Sequence, residues 1–124
     1  MPAREKIIPA AEVAAAFMLS DLQKRTRSPM NNVVSLIRKE ELEKTIFEAY
    51  EQLDSEVYLD EVDEKTAALV VAKDAVVRAI RNKVEELKSN AGVLGFVVEN
   101  WGEAYTKDVD EELWSTIYLI DQMF

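Results

Sequence analysis

Between Glu40 and Glu64 the chain carries eleven acidic residues and one lysine in 25 positions. Glu40 with Glu43, Glu48 with Glu51, Glu51 with Asp54 and Glu61 with Glu64 stand three residues apart. That spacing places two carboxylates on one face of a helix, where they can share a hard divalent cation and leave its other positions to phosphate oxygens. Taken instead as a loop, Asp54 to Glu64 has neither the alternating oxygen positions nor the central glycine of a calcium-binding loop. In so acidic a segment, pairs at this spacing arise by composition alone, and a solvated helix face accounts for them equally well.

Carboxylate pairs of this kind are similar to those that hold magnesium in the all-α nucleotide pyrophosphohydrolases, a likeness that implies magnesium-dependent nucleotide hydrolysis. That family brings pairs together from separate helices, whereas Glu43, Glu48 and Glu51 share one, and no convincing lysine or arginine phosphate reader stands beside them. Other chemistry is limited by what is missing. There is no Cys and no His in 124 residues, which removes thiolate nucleophiles, Cys/His zinc sites, imidazole acid–base catalysis and the Ser-His-Asp triad. Gly92 and Gly95 do not make a dinucleotide fingerprint, no phosphate-binding loop is present, and none of the six serines lies in a Gly-x-Ser-x-Gly elbow. No catalytic residue, cofactor or metal ligand is assigned.

The net charge of -9 is unevenly distributed. Residues 1–39 sum to +4, residues 40–64 to -10, residues 65–90 to +3 and residues 91–124 to -6. Lys24, Arg25 and Arg27 form the densest basic cluster, at the end of an expected helix where cations favour the dipole. A helix-turn-helix reading would put the acidic residues of 42–53 into a DNA groove against phosphate, so direct nucleic-acid binding is not expected. No uncharged run approaches the roughly 20 residues needed to span a bilayer. The amino terminus lacks the apolar core of a secretory signal, and the expected location is the cytoplasm.

These groups need elements to position them. The fold class expected is mainly α, a compact bundle of four to five helices forming one domain over 1–124. Ala10 to Gln23 is rich in helix formers, with Pro9 in the first turn and Ala14, Phe17, Met18 and Leu22 near one face. Leu42, Ile46, Ala49, Tyr50 and Leu53 make a helical stripe, but Val33, Val34 and Ile37 fall opposite it, which predicts a break near Arg38 and Lys39. Helices over about 30–37 and 39–53 follow. From Asp63 the apolar repeat Leu69, Ala72, Val76, Ile80, Val84 and Leu87 predicts the longest helix. A short strand pair, around 57–72 or at 93–98, is the competing expectation. Asp108 and Glu111 resemble a capping box for a last helix, with Leu113, Ile117, Ile120 and Phe124 on one stripe and Trp114 and Tyr118 on the adjacent face.

A terminal helix apolar on two adjacent faces wants cover on both sides. Together with the charge blocks, this predicts a non-catalytic interaction or assembly protein that self-associates or docks on a protein partner. The residues expected to carry the contact are Lys24, Arg25 and Arg27, the acids Glu40, Glu41, Glu43, Glu48, Glu51, Asp54, Asp60 and Asp63, and the aromatics Trp114, Tyr118 and Phe124. The alternative is an acidic mimic of nucleic acid that occupies the groove of a DNA- or RNA-binding protein.

Overall fold

The computed structural model describes residues 4–27, 30–56, 58–89 and 103–123. They form five helices: α1 (Arg4–Arg25), α2 (Met30–Ser35), α3 (Lys39–Ser55), α4 (Glu64–Ser89) and α5 (Glu103–Gln122), with one 3₁₀ turn at Tyr58–Glu61 before α4. The mainly α bundle read from periodicity is the architecture observed. No strand occurs among the described residues. The strand pair at 57–72 is corrected: that stretch is the 3₁₀ turn and the first turns of α4, because Ala67, Ala68 and Ala72 favour helix and all three are buried. The alternative at 93–98 lies outside the described residues.

The long helix α4 is the axis of the bundle, packing mainly on α1 and α3 and also meeting α2 and α5. Its composition explains how it serves four neighbours. Ala67, Ala68, Ala72, Ala75 and Ala79 are buried alongside Val71, Val76, Ile80 and Val84. Small side chains let neighbouring backbones approach, and the branched ones fill the remaining space to crystal-like density. Opposite, α1 buries Ile7, Ala11, Ala15, Met18 and Leu22, a stripe with two more alanines at its centre.

Asp63 starts α4 by accepting a 2.7 Å hydrogen bond from the backbone N–H of Thr66 at its Oδ1, and its own carbonyl accepts from the N–H of Ala67 at 2.8 Å. The Thr66 bond holds the Asp63 carboxyl below its ordinary value. The break between α2 and α3 falls where expected. Leu36 and Ile37 bond back only three residues, to Val33 and Val34, and Arg38 adopts extended backbone before α3 begins. Val33 and Val34 are thereby free to face the core from a different direction than Leu42, Ile46, Ala49 and Tyr50, and all six are buried.

Two ends of helices differ from expectation. Helix α1 begins at Arg4, so Pro9 lies inside it rather than in its first turn. The earlier start is held by buried Ile7 and by Arg4, whose guanidinium pairs with Glu51 at 3.0 Å and sits over the rings of Phe47 (4.5 Å) and Tyr50 (5.4 Å). Helix α5 begins at Glu103, which places Asp108 within the helix and not at its cap. Its buried face is Val109, Thr116 and Ile120, continued by Met123, with Leu113 partly buried between them.

Candidate interaction surface

Helix α5 repeats its core contacts at Val109, Leu113, Thr116, Ile120 and Met123, intervals of four and three residues that keep one narrow stripe against the bundle. Thr116 belongs to that stripe because its hydroxyl donates to the Glu112 carbonyl at 2.9 Å, which satisfies the polar atom inside the core. With the stripe so placed, Trp114 and Tyr118 must point outward. They are 69% and 64% exposed, one helical turn apart.

Beside them runs a groove between α4 and α5 of about 680 Å³, floored by Val70, Val77, Ile117 and Ile120 and edged by Lys73, Asp74 and Asp121. Lys73 closes one end by donating to the Asp121 carbonyl at 3.0 Å, a cation on the last turn of α5 where the helix dipole is negative. Arg81 of α4 lies 5.7 Å from the Trp114 ring and holds one side of the indole. The result is two large aromatic side chains presented on a rigid helix beside an apolar trough. Such gathered, exposed apolar surface makes this face the candidate for contact with another macromolecule.

The remaining residues singled out from the sequence are placed apart from this surface. Lys24, Arg25 and Arg27 are exposed at the end of α1, with Arg25 engaged by Asp21 at 2.9 Å. Along α3, Glu40 and Asp54 are exposed and Glu48 is partly exposed. Glu43 is near Lys39 at 3.9 Å, and Glu51 is taken by Arg4. Asp60 falls in the 3₁₀ turn and Asp63 is the cap of α4. Phe124 lies outside the described residues. Among the described residues no group of three or more acidic side chains is arranged to hold a metal ion. Three of the four carboxylate pairs lie along α3, and the fourth, Glu61 with Glu64, joins the 3₁₀ turn to the start of α4.

Glu41 has a different role. Its Oε1 accepts from Lys83 Nζ of α4 at 2.9 Å and from Arg38 Nε at 3.0 Å, while Lys83 also donates to Glu86 at 3.1 Å. Lys83 is only 4% exposed. Partial burial pushes the Glu41 carboxyl up, but the hydrogen bonds and charges of Lys83 and Arg38 outweigh it and leave the group below its ordinary value. This is a strut between α3 and α4. Sequence reasoning missed it, although Lys83 falls three residues after Ile80 and four before Leu87, on the apolar stripe of its helix.

Phe17, expected in the core, is instead 62% exposed, and Val13 is 73% exposed. The buried stripe of α1 runs through Ala11, Ala15 and Met18, so both larger side chains are turned outward. A second cleft, of about 370 Å³, separates α1 from α2 and the start of α3, and is lined by Leu19, Val34, Ile37 and Leu42 with Arg38 and Lys39 at its edge. No helix among the described residues is long and apolar enough to cross a membrane.

No protein-family model matches the chain, and neither a curated protein nor a solved structure is significantly similar to it.

Proposed function

We propose that this protein is a non-catalytic helical component of a protein assembly and that it docks through the outer face of α5. The observation that supports this reading is the exposure of Trp114 and Tyr118 on one turn of a well-packed helix, beside the α4–α5 groove. Aromatic residues at such positions are the common anchors of protein interfaces, where a rigid ring offers a large contact area at small entropic cost.

A magnitude limits what these two residues do alone. Covering both would contribute about 2–4 kcal/mol, since full burial of a large apolar side chain is worth about 1.5–3 kcal/mol and each ring is already partly covered. Association costs at least about 4 kcal/mol in lost freedom. The partner must therefore bring apolar surface of its own.

The test is cross-linking followed by mass spectrometry in the source cells, with the wild-type chain and Trp114→Ala/Tyr118→Ala as baits. The expected result is a set of cross-links centred on α4 and α5 that disappears in the double variant, while its thermal unfolding is unchanged because neither ring is in the core. Equal recovery of the same partners by both baits would overturn the reading.

A further inference from the structure

The rings of Trp114 and Tyr118 stand as a ridge along α5, with the α4–α5 groove on one side and a second trough of about 490 Å³, beside Ser115 and Leu119, on the other. A ridge with a groove of its own length beside it is self-complementary: half a revolution about an axis parallel to the helices lays each copy's ridge in the other's groove. Such an axis has no translation along it. Every residue of one copy therefore lies level with the same residue of the other, and contacts within one chain give the register between two. The helices α4 and α5 run antiparallel, with Lys73 level with Asp121, whose carbonyl it reaches at 3.0 Å, and Arg81 level with Trp114, whose ring it meets at 5.7 Å. Neither cation forms an ion pair among the described residues, and neither do the exposed carboxylates of Glu111 and Asp121 at the two ends of the ridge.

We propose that the occupant of the α5 face is the same face of a second copy of this chain, in a two-fold dimer whose α5 helices run parallel. The inference rests on the α5 surface being a docking surface, and it names the partner. With the second copy's ridge in the groove, its Asp121 comes level with Lys73 and its Glu111 within a turn of Arg81. Along the axis the two acids are about 15 Å apart and the two cations about 12 Å. Flexible cationic stems cover the difference. Asp74, beside Lys73, is already taken by Arg78 at 2.7 Å. Lys107 stands about 10 Å beyond Trp114 along α5, past the residues that line the groove. Because the contact is isologous, each ring and each groove is used twice, which supplies the apolar surface that the partner must bring, and the assembly closes at two copies.

Sedimentation equilibrium of the full chain across micromolar to millimolar concentrations, at low and high salt, tests this directly. The wild type is expected to pass from monomer to dimer and no further, and to dimerise more tightly at low salt, because salt screens the flanking ion pairs. Trp114→Ala/Tyr118→Ala is expected to weaken the dimer at least tenfold. Lys73→Glu/Arg81→Glu and Glu111→Lys/Asp121→Lys should each do the same, since each sets like charges on ridge and groove edge. An equimolar mixture of these two charge variants pairs acid with base in both grooves and should recover a one-to-one heterodimer. Circular dichroism confirms that each variant folds, and the single reversals Arg81→Glu and Glu111→Lys carry the test if a double variant does not. A wild type that is monomeric throughout overturns self-docking and leaves the α5 face for a different protein, which the cross-links of the wild-type bait would identify. A dimer that every variant retains also overturns it, because the contact then lies on another face. Charge variants that are weak alone and stay weak when mixed overturn the two-fold register.

Discussion

Lys83 is held by two carboxylates on different helices, Glu41 from α3 and Glu86 from its own helix. A buried ammonium is tolerated only while such partners are present. Lys83→Met, similar in length and apolar, leaves Glu41 with Arg38 alone and should destabilise the chain by about 1–2 kcal/mol. This is less than the 3–5 kcal/mol for breaking a fully buried pair, because Glu41 keeps access to water. The pH dependence carries a sign. The Glu41 carboxyl is held below its ordinary value in the folded chain, so its contribution is complete above the unfolded value of about 4.3 and is lost as pH falls through the folded value. Urea unfolding between pH 7 and pH 3 should show wild type and Lys83→Met converging toward the acidic end. A constant difference across that range would show that the strut does not stabilise through charge.

At the scale of the element, α4 is limited by its alanines. Ala75 is fully buried in an alanine-rich helix that packs on both α1 and α3. Ala75→Leu inserts side-chain volume into space already filled and should cost about 1–3 kcal/mol or more, read as a lower denaturation midpoint at unchanged slope. The same element shows what a sequence does and does not disclose. The buried stripe of α4, the break at Arg38 and the stripe of α3 were legible because each is an apolar period of 3.6 residues, with Leu69 and Leu53 only partly buried at the margins. The starts of α1 and α5 were not, since both are set by side chains elsewhere: Arg4 finds Glu51 and Phe47 across 40-odd residues, and Val109 finds the core. The candidate surface was half legible. The outward position of Trp114 and Tyr118 followed from the wheel of α5, whereas Phe17 read as sharing a face with Met18 and Leu22, because only the packing of α1 on α4 decides which of several apolar faces is buried. Glu41 and Asp63 read as surface acids for the same reason. Their work is structural, and their partners, Lys83 and the first N–H groups of α4, are visible only once α3 and α4 are docked.

For the whole molecule, α4 lies against each of the other helices, so no described helix pairs off as an independent unit. Loss of α4 removes the partner surface of α1 and α3 together. Unfolding should therefore be a single cooperative transition, with far-ultraviolet circular dichroism and tryptophan fluorescence giving coincident curves in urea. Separated curves would show that α5, the lightest attached of α4's longer neighbours, comes away first.

The central position of α4 also sets an order of events during synthesis. Helix α1 is made first, yet the surface that its Ile7, Ala11, Ala15, Met18 and Leu22 stripe covers belongs chiefly to a helix that begins about forty residues later. At roughly 5–20 residues per second, α1 leaves the ribosome some 2–8 s before its partner. Throughout that interval the nascent chain exposes both faces of α1, the one destined for the core and the Val13–Phe17 stripe. The basic stretch 24–39 and then the acidic segment 40–64 emerge before α4, so a chain part-way through synthesis carries blocks of both signs beside its uncovered apolar stripe.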